Sequence, residues 1–305
     1  MIKFKNKLEK NSQEIDRFLD VYLPSGNGLS FKLFEAMRYS SISGGKKIRA
    51  YLVLESGRFI SAINNNTLSR SKYNELIAVG SAVEAIHTYS LIHDDLPAMD
   101  NSPIRRGKAA NHVKFDHHTA ILAGDALLSW AFQIIGDRNF ISNSEKRSEI
   151  CFILAKAIGP NGMVGGQQAD MDLTEDKSIN LDKIEWIQNH KTGALISCCA
   201  HVASIVLDAS NDQKSKLINY AKHIGLAFQI ADDLLDLDGN EHSMGKPIGQ
   251  DNKNETPNFV TILGKAKAKK RAIEESNKAI NLIQKFKQES ENLVSLAKYT
   301  VNRNK

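Results

Sequence analysis

A chain of 305 residues is long enough to bury a sizeable core as one large domain or two ordinary ones. Its 42% hydrophobic and 25% charged residues, with only 6 prolines, exclude a disordered or collagen-like chain. A net charge of +5 from 40 basic and 35 acidic residues is too mild to call for nucleic acid, and no helix-turn-helix, zinc-finger or aromatic ribonucleoprotein signature accompanies it.

The chain opens with MIKFKNKLEKNSQEIDRFL, a Lys-rich start without the apolar core of a signal peptide. Breaks are marked at Ser25-Gly26-Asn27-Gly28, Ser43-Gly44-Gly45 and Asn64-Asn65-Asn66. Between and after them, apolar residues recur at three and four spacings, as in Leu76, Val79, Ala82, Val83 and Ile86, which predicts helix after helix. Asp94-Asp95-Leu96-Pro97-Ala98-Met99-Asp100 closes that run, and Arg105-Arg106 follow. A further break falls at Ile158-Gly159-Pro160-Asn161-Gly162. The apolar stretch Leu195 to Leu207 is shorter than the roughly 20 residues of a membrane span and contains His201, so no span is expected. Cys198 and Cys199 within it, with Cys151, are odd in number and lack C-x-x-C spacing. They predict inert packing and a reducing cytoplasm, not a disulfide framework or zinc site. His117-His118 read as an exposed surface pair. A second apolar run, Ile224 to Phe228, leads into Asp232-Asp233-Leu234-Leu235-Asp236, and a polar stretch from Asp238 to Asn258 carries Lys246. With no fixed-period repeat and no long linker, residues 1–305 read as a single all-α domain, a large helix bundle.

The two acidic clusters are the informative feature. Pro97 removes a backbone donor and disfavours helix at Leu96, so the chain should turn there and bring Asp100 back toward Asp94. Asp232 and Asp236, four apart, share one helical face and repel each other in an isolated helix. Either cluster alone fits a solvated face. Two, each at the polar end of an apolar helix, call for a cation between them, because a carboxylate is not buried unpaired. Oxygen-only ligands favour magnesium, which bridges carboxylates to substrate phosphates. Nearby cations suited to phosphate appear at Arg105-Arg106, at Lys246 and in Gly44-Gly45-Lys46-Lys47-Ile48-Arg49, although each group alone also fits a solvated surface.

These segments resemble the short-chain trans-prenyl transferases, bacterial farnesyl diphosphate synthases among them, nearly end to end. The likeness is carried by SGGKKIRA at 43, EAIHTYSLIHDDLPAMD at 84, RRGKAANHVKFD at 105, AILAGDALL at 120, GGQQADM at 165, KTGALI at 191, AFQIADDLLD at 227, GKPIGQD at 245 and the terminal Arg303-Asn304-Lys305. The resemblance implies an antiparallel bundle of the isoprenoid synthase type with a central active-site cavity. It implies that Asp94, Asp95, Asp100, Asp232, Asp233 and Asp236 hold Mg2+, with Mn2+ as a substitute. Arg105, Lys191 and Lys246 would then face the allylic diphosphate, Lys46, Arg49, His87 and Arg106 would hold isopentenyl diphosphate, and Thr192 and Gln229 would line the allylic site. His87 would otherwise read as a core histidine. Tyr89 and Ser90, just before the first aspartates, would set product length, with fifteen carbons favoured over ten or twenty. The resemblance also implies a homodimer. Asn101-Ser102-Pro103-Ile104 stand where the family carries further acids, which removes negative charge near the metals. The rival readings are a synthase of another product length, a class I terpene cyclase and a silent partner subunit.

Overall fold

A computed structural model describes residues 2–42, 44–173, 179–238 and 257–302. Helix α1 (Ile2–Tyr22) shows the expected spacing directly: Phe4, Leu8, Asn11, Ile15 and Leu19 form one buried stripe while lysines fill the other faces. After α2 (Phe31–Ser41), helices α3 (Ile48–Ile63) and α4 (Arg70–Asp94) are buried on nearly every side and form the centre of the bundle. Short connections make successive helices antiparallel neighbours, as at 64–69 between the packed pair α3 and α4. Side-chain caps fix several starts: Ser69 accepts from Lys72 N–H, Asn143 from Lys146 N–H and Asn180 from Lys183 N–H.

A two-stranded hairpin, β1 (Ile104–Arg105) and β2 (Lys108–Ala109), interrupts the helices and was not foreseen. Helices α5 (Asn111–Lys114), α6 (His117–Gly136), α7 (Ser144–Ile158), α8 (Met163–Asp172) and α9 (Leu181–Gln188) follow. A π-helical turn, Asn189–Gly193, joins α9 to α10 (Ala194–Val206). Then come α11 (Asn211–Asp238), α12 (Phe259–Leu263), α13 (Lys265–Ile283), a 3-10 turn and α14 (Glu291–Asn302). Helix α6 is long and apolar enough to cross a membrane by length and composition alone. It serves here as a core helix, packing Ala120, Ala123, Leu127 and Ala131 into the bundle beside α4. Cys198 and Cys199 are buried in α10, and burial pushes the Cys198 thiol up to about 12, which keeps it protonated and inert. His117 and His118 are exposed as expected. The main hydrophobic core runs through α1, α3, α4, α6 and α10, and a second cluster joins α9, α11, α12 and α13.

Candidate active site

Both acidic clusters stand at helix C-termini, where the backbone dipole is already negative. Asp94 is the last residue of α4, and the chain turns as Pro97 requires: the Asp100 N–H donates to the Asp94 carbonyl at 2.8 Å. Asp232 and Asp236 lie in the last turns of α11. Asp94, Asp100, Asp232, Asp233 and Asp236 all line one cavity of about 920 Å³. Asp95 does not. Its carboxylate is buried against Arg105, whose Nε donates to Oδ1 at 2.9 Å. Asp233 Oδ2 accepts the Phe259 N–H at 3.0 Å and so anchors the start of α12.

The hairpin explains how Arg105 and Arg106 come to face different ways. Arg106 and Gly107 both have positive φ, 52° and 73°, as a two-residue turn of mirror-image type demands. Arg105 is thereby aimed at Asp95. Arg106 Nη1 reaches back to the Gly44 carbonyl at 3.2 Å, and its guanidinium packs so closely on Gly45 that a Cβ there would sit 2.9 Å from Cζ. Arg49 and His87 line the same wall of the cavity. The Arg49 Nε is shielded from solvent and has no hydrogen-bond partner among the described residues. Burial, then the charges of Arg49, Arg106, Arg105 and Lys47, holds His87 well below its ordinary pKa, so it is neutral. Burial also lowers Arg106, with Glu84 acting against that trend. The wall thus carries more positive charge than its own carboxylates balance, which is the condition of an anion site. Lys46 stands at the rim, its Nζ 5.3 Å from the centre of the Tyr299 ring. Lys47, its neighbour, is buried at the start of α3 and directed to the Ser41 carbonyl and Asp16.

The π turn brings Lys191 and Thr192 to the opposite wall, and Gln229 approaches from α11. Such turns cluster at functional sites because they re-aim side chains within a helix. Lys191 donates to Asp170 Oδ2 on α8 at 2.6 Å. Burial alone would lower its pKa, but Asp170, Asp94 and Asp100 outweigh burial and leave it raised. Tyr89 and Ser90 also line the cavity, Tyr89 almost fully buried. Lys246 lies outside the described residues, as do Ser43 and the chain's last three residues.

Sequence reasoning did not single out Asp170, Gln167 or His93, all of which line the cavity. The signal for α8 was present in GGQQADM. Gly166 packs so tightly on the π turn that a Cβ would fall 2.2 Å from Lys191 N, so the paired glycines mark a close helix approach.

The acidic side chains that line the cavity offer oxygen donors only, and among the described residues no three His, Cys, Asp or Glu side chains close around one point. Carboxylates spread along one cavity by two helices fit an ion completed by water and phosphate, as magnesium prefers, and do not fit a closed zinc cage.

Residues 31–299 match the family model described as polyprenyl synthetase. The chain is 39% identical over 299 residues to the farnesyl diphosphate synthase of Micrococcus luteus, covering 98% of this chain and 99% of that one. Its structure is similar to that of an FPP/GFPP synthase from Zymomonas mobilis, with a TM-score of 0.84, 37% identity and coverage of 98% and 99%. It is also similar to a geranyltransferase from Helicobacter pylori solved with magnesium and isoprenyl diphosphate, with a TM-score of 0.83, 27% identity and coverage of 98% and 96%.

Proposed function

The chain belongs to the polyprenyl synthetase family, and from that premise we propose that it condenses dimethylallyl or geranyl diphosphate with isopentenyl diphosphate, head to tail, to give farnesyl diphosphate and diphosphate. The observation that carries this reading is one cavity with two kinds of wall: aspartates on α4 and α11, and cations from α3 and the hairpin. One diphosphate fits each. Asp94, Asp100, Asp232, Asp233 and Asp236 would hold Mg2+, or Mn2+ in its place, with Asp95 acting through Arg105. Bound metal supplies the positive charge that makes the allylic diphosphate a good leaving group.

The chain's own residues do the rest. Lys191, kept protonated by three surrounding aspartates, and Arg105 add charge at the departing diphosphate. Thr192 and Gln229 turn a hydroxyl and an amide oxygen toward the allylic cation. Lys46, Arg49, neutral His87 and Arg106 hold isopentenyl diphosphate so that its double bond faces that cation, and the surplus proton leaves with the diphosphate. Lys246, outside the described residues, completes the proposed allylic set. Tyr89 and Ser90 limit the pocket to fifteen carbons. The enzyme would work as one domain over 1–305, in the cytoplasm and as a homodimer.

Incubation of the purified chain with labelled isopentenyl diphosphate and geranyl diphosphate, with magnesium or chelator, tests this reading. Metal-dependent fifteen-carbon product is the expected result. A cyclic hydrocarbon formed without isopentenyl diphosphate, or no product from folded protein with metal, overturns it.

A further inference from the structure

We infer that Glu84 is a positioning residue for isopentenyl diphosphate: from α4 it pins the start of α3 and so holds Lys46 and Arg49 in place beside His87. This rests on the prenyl transferase reading above. The first N–H groups of a helix have no partner within it, and a side chain at the preceding position ordinarily takes one. At α3 that position belongs to Lys47, which is left-handed, with φ 49° and ψ 45°, and makes no side-chain cap. Its ammonium turns away to the Ser41 carbonyl and Asp16. The cap comes from the neighbouring helix instead: Glu84 Oε1 accepts the Ala50 N–H at 3.0 Å.

Close packing of the two helices brings the carboxylate within reach. Gly80 lies one turn before Glu84 on the same face of α4. A Cβ there would sit 3.3 Å from Ala50 Cβ and 3.5 Å from Ala50 Cα, so the glycine admits α3 at the very residue that Glu84 caps. His87, three residues beyond Glu84, stands on that face too. Glu84, His87, Lys46 and Arg49 all line the same cavity. Glu84 is only 1% exposed, so its carboxylate must find its partners inside the protein. Burial lowers the pKa of Lys47, Arg49 and Arg106, and the Glu84 charge opposes burial at all three. That same charge repels a diphosphate bound among these cations, so it cannot itself favour the substrate. What Glu84 gives the site is the hydrogen bond that fixes α3, and the reach of its side chain matters to substrate binding more than its charge.

Steady-state kinetics with isopentenyl and geranyl diphosphates separate reach from charge. Glu84→Asp keeps the charge but withdraws it by one methylene, whereas Glu84→Gln keeps an acceptor oxygen at full length without the charge. Each variant is checked for a cooperative melt. Glu84→Asp is expected to raise the KM for isopentenyl diphosphate about tenfold, the scale of leaving one buried N–H without a partner, with kcat and the KM for geranyl diphosphate unchanged. Glu84→Gln is expected to show a KM for isopentenyl diphosphate no higher than that of the unmodified chain. Gly80→Ala, which pushes α4 away from Ala50, carries the same direction of change as Glu84→Asp should that variant not fold. A folded Glu84→Asp that leaves both KM values unchanged or raises both together, or a Glu84→Gln that binds isopentenyl diphosphate more weakly than Glu84→Asp, overturns the inference while leaving the transferase reading intact. An unmodified chain that does not condense at all overturns that reading, and this inference with it.

Discussion

Burial pushes Asp94 up to about 6, against the pull of Lys191 and with help from Asp100. In the unfolded chain the same carboxyl titrates near its ordinary value of 3.8. The metal-free fold therefore binds the proton more tightly, and the stability this contributes is complete below the unfolded value and lost as pH rises through about 6. Above that pH the ionised carboxylate costs stability until a cation pairs with it. Magnesium is accordingly expected to raise the melting temperature more at pH 8 than at pH 5, and Asp94→Asn to raise the metal-free melting temperature at pH 8. A magnesium effect equal at both pH values would remove Asp94 from the proposed metal wall. At this scale the two aspartate clusters and the cations Arg49, Arg105 and Arg106 were legible in the sequence, because like charges crowded at helix ends need partners, whereas Lys191 came only from the resemblance. The separate engagement of Asp95 with Arg105 was not, since the motif gives all three aspartates equal standing and only the hairpin turn decides which one the arginine meets.

The π turn and α8 show what element packing adds. Nothing in Asn189–Gly193 announces a π turn, because a single inserted residue leaves the apolar spacing on either side intact. Its position depends on Gly166, and a methyl group there must displace backbone around Lys191. Gly166→Ala is expected to cost about 1–3 kcal/mol of stability and to lower the condensation rate by misplacing Lys191. Denaturant unfolding together with steady-state rates checks both, and a variant with unchanged stability and rate would show that the close approach is not needed. The hairpin escaped the sequence reading for a related reason: two-residue strands are too short to show alternation. Of its turn only Gly107 has the residue type that positive φ favours, and Arg106 adopts positive φ without it. Helix after helix was legible throughout, with breaks where the glycine and asparagine clusters stand.

For the whole molecule, α4 and α11 carry their acidic ends to the same cavity while α3 and the hairpin bring cations to another wall, and this arrangement follows from antiparallel packing of successive helices. Sequence periodicity gives the helices but not which ends meet, and it was the resemblance to prenyl transferases that supplied the cavity. Helix α6 exposes Ile121 and Leu122, and α7 exposes Phe152. These fit the proposed dimer, so light scattering after size exclusion should give twice the chain mass, and Ile121→Asp with Leu122→Asp should shift the balance to monomer. A strictly monomeric active enzyme would contradict it. The central claim, that the facing aspartate walls together hold one allylic diphosphate through divalent metal, is tested most directly by a crystal structure with magnesium and a non-ionisable allylic diphosphate analogue. The account predicts metal and diphosphate between Asp94 and Asp100 on one side and Asp232 and Asp236 on the other. Diphosphate bound with metal held by one wall alone, or lodged among Lys46, Arg49 and Arg106 without metal, would contradict it.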